Sequence, residues 1–199
     1  MGEALRNAAI LTRPKRQAAS NGSPDSTWVT RQFQARRPQS RRWSARCLRD
    51  VLAVTGVVSL AERADDMLMW GYYADSHRGY CLEFSTDKEP FLLANRVKYA
   101  EERPVFRLFD TDRTGLMERL LLQKASFWQH EREWRIARMQ GVGPMEFAPE
   151  CLTAIILGAN ISRDEESTLR QMASGQKHPI AIKRASLDER TFKLTILDA

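Results

Sequence analysis

The stretch MLMWGYYADSHRGYCLEF, residues 67–84, decides the fold class. Two acids, Asp65 and Asp66, stand directly before its apolar start, and acids are favoured at the N-terminus of a helix. Its last six letters, GYCLEF, alternate with the two-residue period of a β-strand. The stretch therefore predicts a brief helix or turn that leads into a strand, as in a mixed α and β domain.

The pattern continues outward from this stretch as short strands separated by helices. Strands are predicted in GVVSL, NRVKYA, EREWRIARM, LTAIILG, PIAIKRASL and TFKLTIL. Helices are predicted in SARCLRDVLAV, across residues 114–130, and in SRDEESTLRQMASG, where Ser162 and Glu165 form a capping box and Gly175 ends the helix. We therefore expect a single α+β domain over residues 44–199, with small mixed or antiparallel sheets and a few packed helices.

Residues 1–43 differ from the rest in composition. Residues 1–50 hold eleven Lys or Arg against three acids, whereas the remainder holds twenty bases against twenty-two acids. The first 43 residues also lack an apolar period, so we predict a basic and disordered N-terminal segment. Three interpretations are open. The segment is an arm that binds nucleic acid, an organellar transit peptide, or a solvated tail. In the first interpretation the Arg side chains bind phosphates, and Trp28, Phe33 and Trp43 stack on bases.

Composition excludes several classes of protein. No apolar run is long enough to span a bilayer, and the first residues lack the apolar core of a secretory signal. The three cysteines are far apart and form no Cys/His cluster, so neither a disulfide framework nor a metal site is expected. These features predict a protein of the cytoplasm without a membrane partner.

Four charged residues near two tryptophans form the best candidate site. Lys124, Glu131, Glu133 and Arg135, here called the charged cluster, are flanked by Trp128 and Trp134 and are predicted to be partly buried. Buried charges need partners, so one interpretation is a structural network that pairs Lys124 with Glu131 and Glu133 with Arg135. The other makes Glu133 a catalytic carboxylate, with Lys124 or Arg135 binding an anionic group of a ligand.

The aromatic residues of the stretch 67–84 also have two interpretations, one as ligand-binding residues and one as structural residues. Tyr73 and His77 are candidates to contact a nucleotide, the first by stacking and the second by hydrogen bonding. The alternative is that they are core residues whose polar atoms bind the backbone. For Trp70 the core interpretation is favoured, and Cys81 is expected to be an inert core residue.

Together these motifs resemble the bacterial domain-of-unknown-function family 2971. The first motif is W-x-x-Y-A-x-x-x-x-G-x-C-L-E-F, carried here by Trp70, Tyr73, Ala74, Gly79, Cys81, Leu82, Glu83 and Phe84. A V-x-Y strand follows with Val97 and Tyr99, and then K-x-x-x-W-x-x-E-x-E-x-R with Trp128 and the charged cluster. Members of that family open with an aromatic strand and an Asn-Asp-Pro turn. Residues 1–50 contain neither, so an N-terminally truncated or replaced domain is expected.

The resemblance also implies a function. The layout is similar to ADP-ribosyltransferase-like folds, in which a small α+β domain splits around NAD. By that analogy Ser59 orients the ribose and Glu133 stabilises its developing positive charge. Tyr73, His77, Lys124, Arg135 and Glu131 then bind the rest of the nucleotide. The resemblance thus implies glycosyl transfer from a nucleotide or NAD. The alternative is a module that binds a nucleotide or a protein without catalysis, or an inactive truncated relative.

Overall fold

A computed structural model of the protein describes residues 7–12, 49–50, 52–105, 113–138 and 141–199. Its strands are β1 (Asn7–Thr12), β2 (Gly56–Ala61), β3 (Tyr80–Ser85), β4 (Asn95–Arg96), β5 (Lys98–Ala100), β6 (Gln123–Ala125), β7 (Glu133–Arg138), β8 (Leu152–Leu157), β9 (Ala181–Leu187) and β10 (Leu194–Asp198). The α-helices include α1 (Met67–Tyr73), α2 (Arg113–Leu121) and α3 (Arg163–Ser174), and residues 49–50 and 52–53 are also helical. Short 3-10 helices cover Phe91–Leu93, Ser126–Glu131 and Pro149–Cys151.

Eight of these strands form one mixed sheet in the order β10-β9-β8-β3-β1-β2-β7-β4. The β8–β9 pair is parallel, and the other pairs in this sheet are antiparallel. The two remaining strands, β5 and β6, pair with each other in parallel. This arrangement confirms the predicted α+β class, although most strands join one large sheet.

Strand β1 corrects part of the prediction for the N-terminal segment. Residues 7–12 were predicted to be disordered with the rest of residues 1–43, but they form a strand between β2 and β3. All six of them pair with β3, from Asn7 opposite Ser85 to Thr12 opposite Tyr80. An opening strand is thus present, although its sequence NAAILT lacks the aromatic residues that the resemblance implies. Residues 1–6 and 13–48, with the predicted arm and its aromatic residues, lie outside the described residues.

Helices cover both faces of the large sheet. On one face α1 contributes Met69 and Trp70 to a core with Cys81 of β3 and Ile156 of β8. On the other face Leu169 and Ala173 of α3 pack against Ile155 and Leu157 of β8. A third cluster on the second face gathers Leu60, Phe84, Phe91, Trp134, Ile136 and Cys151. The alternation of Ile155, Ile156 and Leu157 between the faces is the period expected of a strand.

Helices α1 and α3 begin at the residues that the capping rules indicate. The Asp66 carboxylate accepts hydrogen bonds from the backbone N–H groups of Leu68 and Met69, at 2.9 and 3.1 Å. Ser162 accepts from the backbone of Glu165, and Gly175 follows the last residue of α3. Ser162 is confirmed as the N-cap residue, and its hydroxyl donates to Glu165 Oε2 at 2.8 Å. Within the described part of the chain, no helix has the length and apolarity needed to cross a membrane.

The predicted helix across residues 114–130 is wrong beyond Leu121. The chain leaves the helix there, forms β6 at Gln123–Ala125, and then turns as a 3-10 helix over Ser126–Glu131. The extended conformation of β6 is stabilised by pairing with β5, which lies far away in sequence. The single strand predicted in NRVKYA is divided for the same reason, because β4 pairs with β7 and β5 pairs with β6.

Candidate functional site

The charged cluster lies on the face of the large sheet that α1 covers. In the β2–β7 pair, Ala61 is opposite Glu133 and Ser59 is opposite Arg135. Residues directly opposite each other in an antiparallel pair point to the same face, and Ala61 belongs to the core beneath α1. Glu133, Arg135 and Ser59 therefore share this face.

Lys124 bridges the two carboxylates of the cluster. Its Nζ donates to Oε2 of Glu131 and, at 3.0 Å, to Oε2 of Glu133. Glu131 and Glu133 are only 4% and 5% exposed. Two buried carboxylates so close together repel each other unless a cation lies between them. Lys124 lies between the two side chains and offsets this repulsion.

Glu133 is the most constrained residue of the cluster. Arg135 binds its carboxylate with two nitrogens, Nε at 2.7 Å and Nη2 at 3.0 Å, and Nη1 of Arg135 donates to the Leu121 carbonyl at 2.5 Å. The Ser59 hydroxyl also acts to lower the pKa of this carboxylate. Burial acts to raise the pKa of Glu133, but Arg135, Ser59 and Lys124 outweigh it, so the pKa lies below its ordinary value. Glu133 is therefore a fixed anion at neutral pH.

A backbone turn explains why two glutamates separated by one residue meet the same lysine. The 3-10 helix ends at Glu131, β7 begins at Glu133, and Arg132 between them has a left-handed φ of 43°. In a continuous strand, residues two apart share a face but are spread along it. The left-handed residue instead folds the backbone, which brings both carboxylates to Lys124 Nζ.

Tyr73 joins the first motif to the second. Its hydroxyl donates to Oε1 of Glu131 at 3.0 Å, across 58 positions of sequence. Beside it lie the rings of Tyr72, Trp128 and Phe127, in edge or tilted contact with one another. Tyr72 is 53% exposed and Phe127 is 73% exposed. The buried charges thus have an aromatic rim that is open to solvent.

His77 has a different environment from the other predicted ligand residues. Its ring stacks on Trp70 with centroids 6.4 Å apart, and burial lowers the pKa of the imidazole. Trp70 itself is fully buried and donates to the Ala64 carbonyl at 2.6 Å, which confirms its core role. His77 also follows Asp75 and Ser76 in three consecutive left-handed conformations. The structure thus gathers Ser59, Tyr73 and the charged cluster into one site, whereas the contacts of His77 are with Trp70 of α1 and with Asn160.

Two residues of the site have roles that the sequence pattern did not reveal. The Tyr99 hydroxyl accepts a hydrogen bond from the Glu133 backbone N–H at 2.8 Å. The Val97 N–H donates to the Glu133 carbonyl at 2.9 Å. Both belong to the V-x-Y motif, whose spacing was the available signal, but the motif alone does not say which backbone it contacts.

The arrangement suits the stabilisation of positive charge better than proton transfer by Glu133. A carboxylate with a lowered pKa is a weak base, whereas a fixed carboxylate can stabilise a positive charge that develops beside it. Among the described residues, no group of His, Cys, Asp and Glu side chains is arranged to hold a metal ion.

Comparison with protein families supports the resemblance. The model of the family described as "Protein of unknown function (DUF2971)" matches residues 69–136, which are 68 of the 199 residues. The match includes Tyr73 and the whole charged cluster, and it begins after Ser59. Comparisons with curated proteins and with solved structures found no match to this chain.

Proposed function

We propose that the protein is a member of this family that breaks the bond between nicotinamide and ribose in NAD and transfers the ADP-ribosyl group to an acceptor. The observation that carries the proposal is the geometry of Glu133, an anion fixed by Arg135 and by Lys124, which itself lies over the Trp128 ring. The analogy with ADP-ribosyltransferase-like folds supports the same assignment of Ser59 and Glu133.

The charge of Glu133 matches the demand of this reaction. As the C1′–N bond breaks, its electron pair moves to the ring nitrogen of nicotinamide, and positive charge develops on the ribose. The nucleophilic atom of the acceptor then bonds to C1′ and loses its proton. A carboxylate that is already oriented stabilises the developing charge without reorganisation. Ser59 is exposed, and in this proposal its hydroxyl contacts the ribose as well.

The remaining residues fit a planar substrate beside a sugar. The exposed rings of Tyr72 and Phe127 offer surfaces on which a flat heteroaromatic ring can stack. Lys124 and Arg135 are both bonded to carboxylates, so in this proposal they hold Glu131 and Glu133 in place. Binding of the substrate phosphates is then left to other groups of the chain.

Substitution of Ser59 tests the proposal. Ser59→Ala removes a hydroxyl that lowers the pKa of Glu133 and that contacts the ribose in this proposal, so we expect nicotinamide release from NAD to fall about tenfold. Ser59→Thr keeps the hydroxyl, and a β-branched residue suits a strand, so it should retain most of the activity. The measurement is chromatography of nicotinamide, with and without candidate acceptors. Equal release by the wild-type protein and Ser59→Ala would remove Ser59 from the mechanism.

A second function is favoured by one specific observation. Two cations and two carboxylates of the charged cluster are matched with each other, as expected of a network that only holds a fold. The alternative is therefore a nucleotide- or protein-binding module without catalysis. Calorimetry that shows NAD binding by the wild-type protein, with no nicotinamide released under any acceptor condition, would favour this module.

A further inference from the structure

We infer that Tyr99 is a positioning residue for Glu133, and this inference rests on the function proposed for Glu133. Strand β4 ends at Arg96, opposite Trp134, so the neighbouring strand does not continue beside the first residue of β7. The chain then turns away into β5, which pairs with β6. The backbone of Glu133 is thus left at the end of the ladder, where its N–H and C=O require partners from elsewhere.

The V-x-Y motif supplies both partners. The Val97 N–H donates to the Glu133 carbonyl at 2.9 Å, and the Tyr99 hydroxyl oxygen accepts from the Glu133 N–H at 2.8 Å. Val97 is only 3% exposed, and Tyr99 is partly buried. Burial raises the pKa of Tyr99, and the negative charges of Glu133 and Glu131 add to this, so the hydroxyl stays neutral.

The hydrogen bond from the Glu133 N–H to the Tyr99 hydroxyl holds the backbone at the start of β7, whose conformation determines the position of the Glu133 carboxylate. Glu133 follows the left-handed Arg132, so a small rotation at its N–H changes the direction of its side chain. Tyr99 opposes that rotation from one side of β7, and on the β2 side the Glu62 N–H donates to the Arg132 carbonyl at 3.2 Å. The role of Tyr99 is therefore to place Glu133, without itself contacting the substrate.

Tyr99→Phe tests this inference, because it removes the hydroxyl and keeps the ring. We expect hydrogen exchange at the Glu133 amide to become about tenfold faster, since one hydrogen bond of ordinary strength is lost. The pKa of the Glu133 carboxyl, followed by carbon-13 NMR, should rise as its contacts loosen. Tyr80→Phe removes a hydroxyl from the opposite face of the sheet and should change neither quantity. Insertion of 4-methoxyphenylalanine at position 99 restores an acceptor oxygen and should restore the protection of the amide.

Neither the exchange rate of the Glu133 amide nor the pKa of its carboxyl depends on turnover. The test of Tyr99 can therefore fail or succeed separately from the test of the proposed function. If the protein releases nicotinamide, Tyr99→Phe should lower kcat about tenfold and change KM for NAD less than twofold. Unchanged exchange and an unchanged carboxyl pKa in Tyr99→Phe would overturn the inference. Global unfolding of Tyr99→Phe would also overturn it, because the hydroxyl would then hold the whole fold.

Discussion

Replacement of Glu133 by glutamine should lower the rate of nicotinamide release from NAD by about 10²–10³-fold, the loss expected when one oriented electrostatic group is removed from a transition state. Glutamine keeps the shape of the side chain and an acceptor oxygen, but it lacks the negative charge that stabilises the ribose cation. The measurement is single-turnover nicotinamide release, corrected for the folded fraction of each protein. Equal rates in Glu133→Gln and the wild-type protein would remove Glu133 from catalysis.

The same substitution should also affect stability, because it leaves Arg135 and Lys124 with an uncharged partner. Loss of one member of a buried ion pair costs about 3–5 kcal/mol, and Lys124 and Arg135 are partly exposed, so we expect about 2–3 kcal/mol. Glu83→Gln is the matched control, since Glu83 is a partly buried carboxylate paired with Lys183 at 3.1 Å outside the site. It should lose stability but keep the rate of nicotinamide release. A parallel loss of activity in Glu83→Gln would show that general destabilisation explains both.

Gly158→Ala should lower the free energy of unfolding by about 3 kcal/mol or more, because the new methyl group would overlap fixed backbone atoms. An alanine Cβ at this position would lie 2.2 Å from the His77 carbonyl oxygen and 2.5 Å from that of Gly79. Neither oxygen can move freely. The Gly79 carbonyl accepts from the Gly158 N–H at 2.9 Å, and the His77 carbonyl accepts from Asn160 at 3.0 Å.

Gly71→Ala is the control for this prediction. Beyond the neighbouring residues and the backbone of its own helix, no described atom lies within 4 Å of the Cβ that would be added at Gly71, which is inside α1. Alanine is a better helix former, so this variant should be more stable by about 0.5–1 kcal/mol. Urea denaturation monitored by circular dichroism measures both changes. Equal stability of Gly158→Ala and the wild-type protein would show that the loop at residues 75–79 does not pack against Gly158 as described.

Local patterns predicted the elements whose stabilising contacts are local. The change from period 3.6 to period 2 predicted β7, and capping residues predicted both ends of α3. The pairing of Lys124 with Glu131 and of Glu133 with Arg135 was also predicted and is confirmed. Glu133 and Arg135 are two residues apart on one strand, so spacing brings them together, whereas Lys124 meets Glu131 through the 3-10 turn over Ser126–Glu131.

The errors concern elements that depend on distant partners. Strand β1 lies within basic, breaker-rich sequence, and its extended form depends on β2 and β3, which follow more than forty positions later. Residues 123–131 continue an apparent helical stripe, yet pairing with β5 makes the first three a strand. The contact of Tyr73 with Glu131 and the approach of Gly158 to His77 likewise arise from the tertiary fold. No local pattern contains that information.

The central claim, that Glu133 is a fixed anion held by Arg135, Lys124 and Ser59, is tested most directly by its own titration. Carbon-13 labelling of glutamate carboxyls, with the Glu133 signal assigned by its absence in Glu133→Gln, gives the pKa of this group in the folded protein. We predict a midpoint clearly below that of exposed glutamates, because the three partners together outweigh the effect of burial. A midpoint equal to or above that of exposed glutamates would contradict the geometry of the site and the function proposed from it.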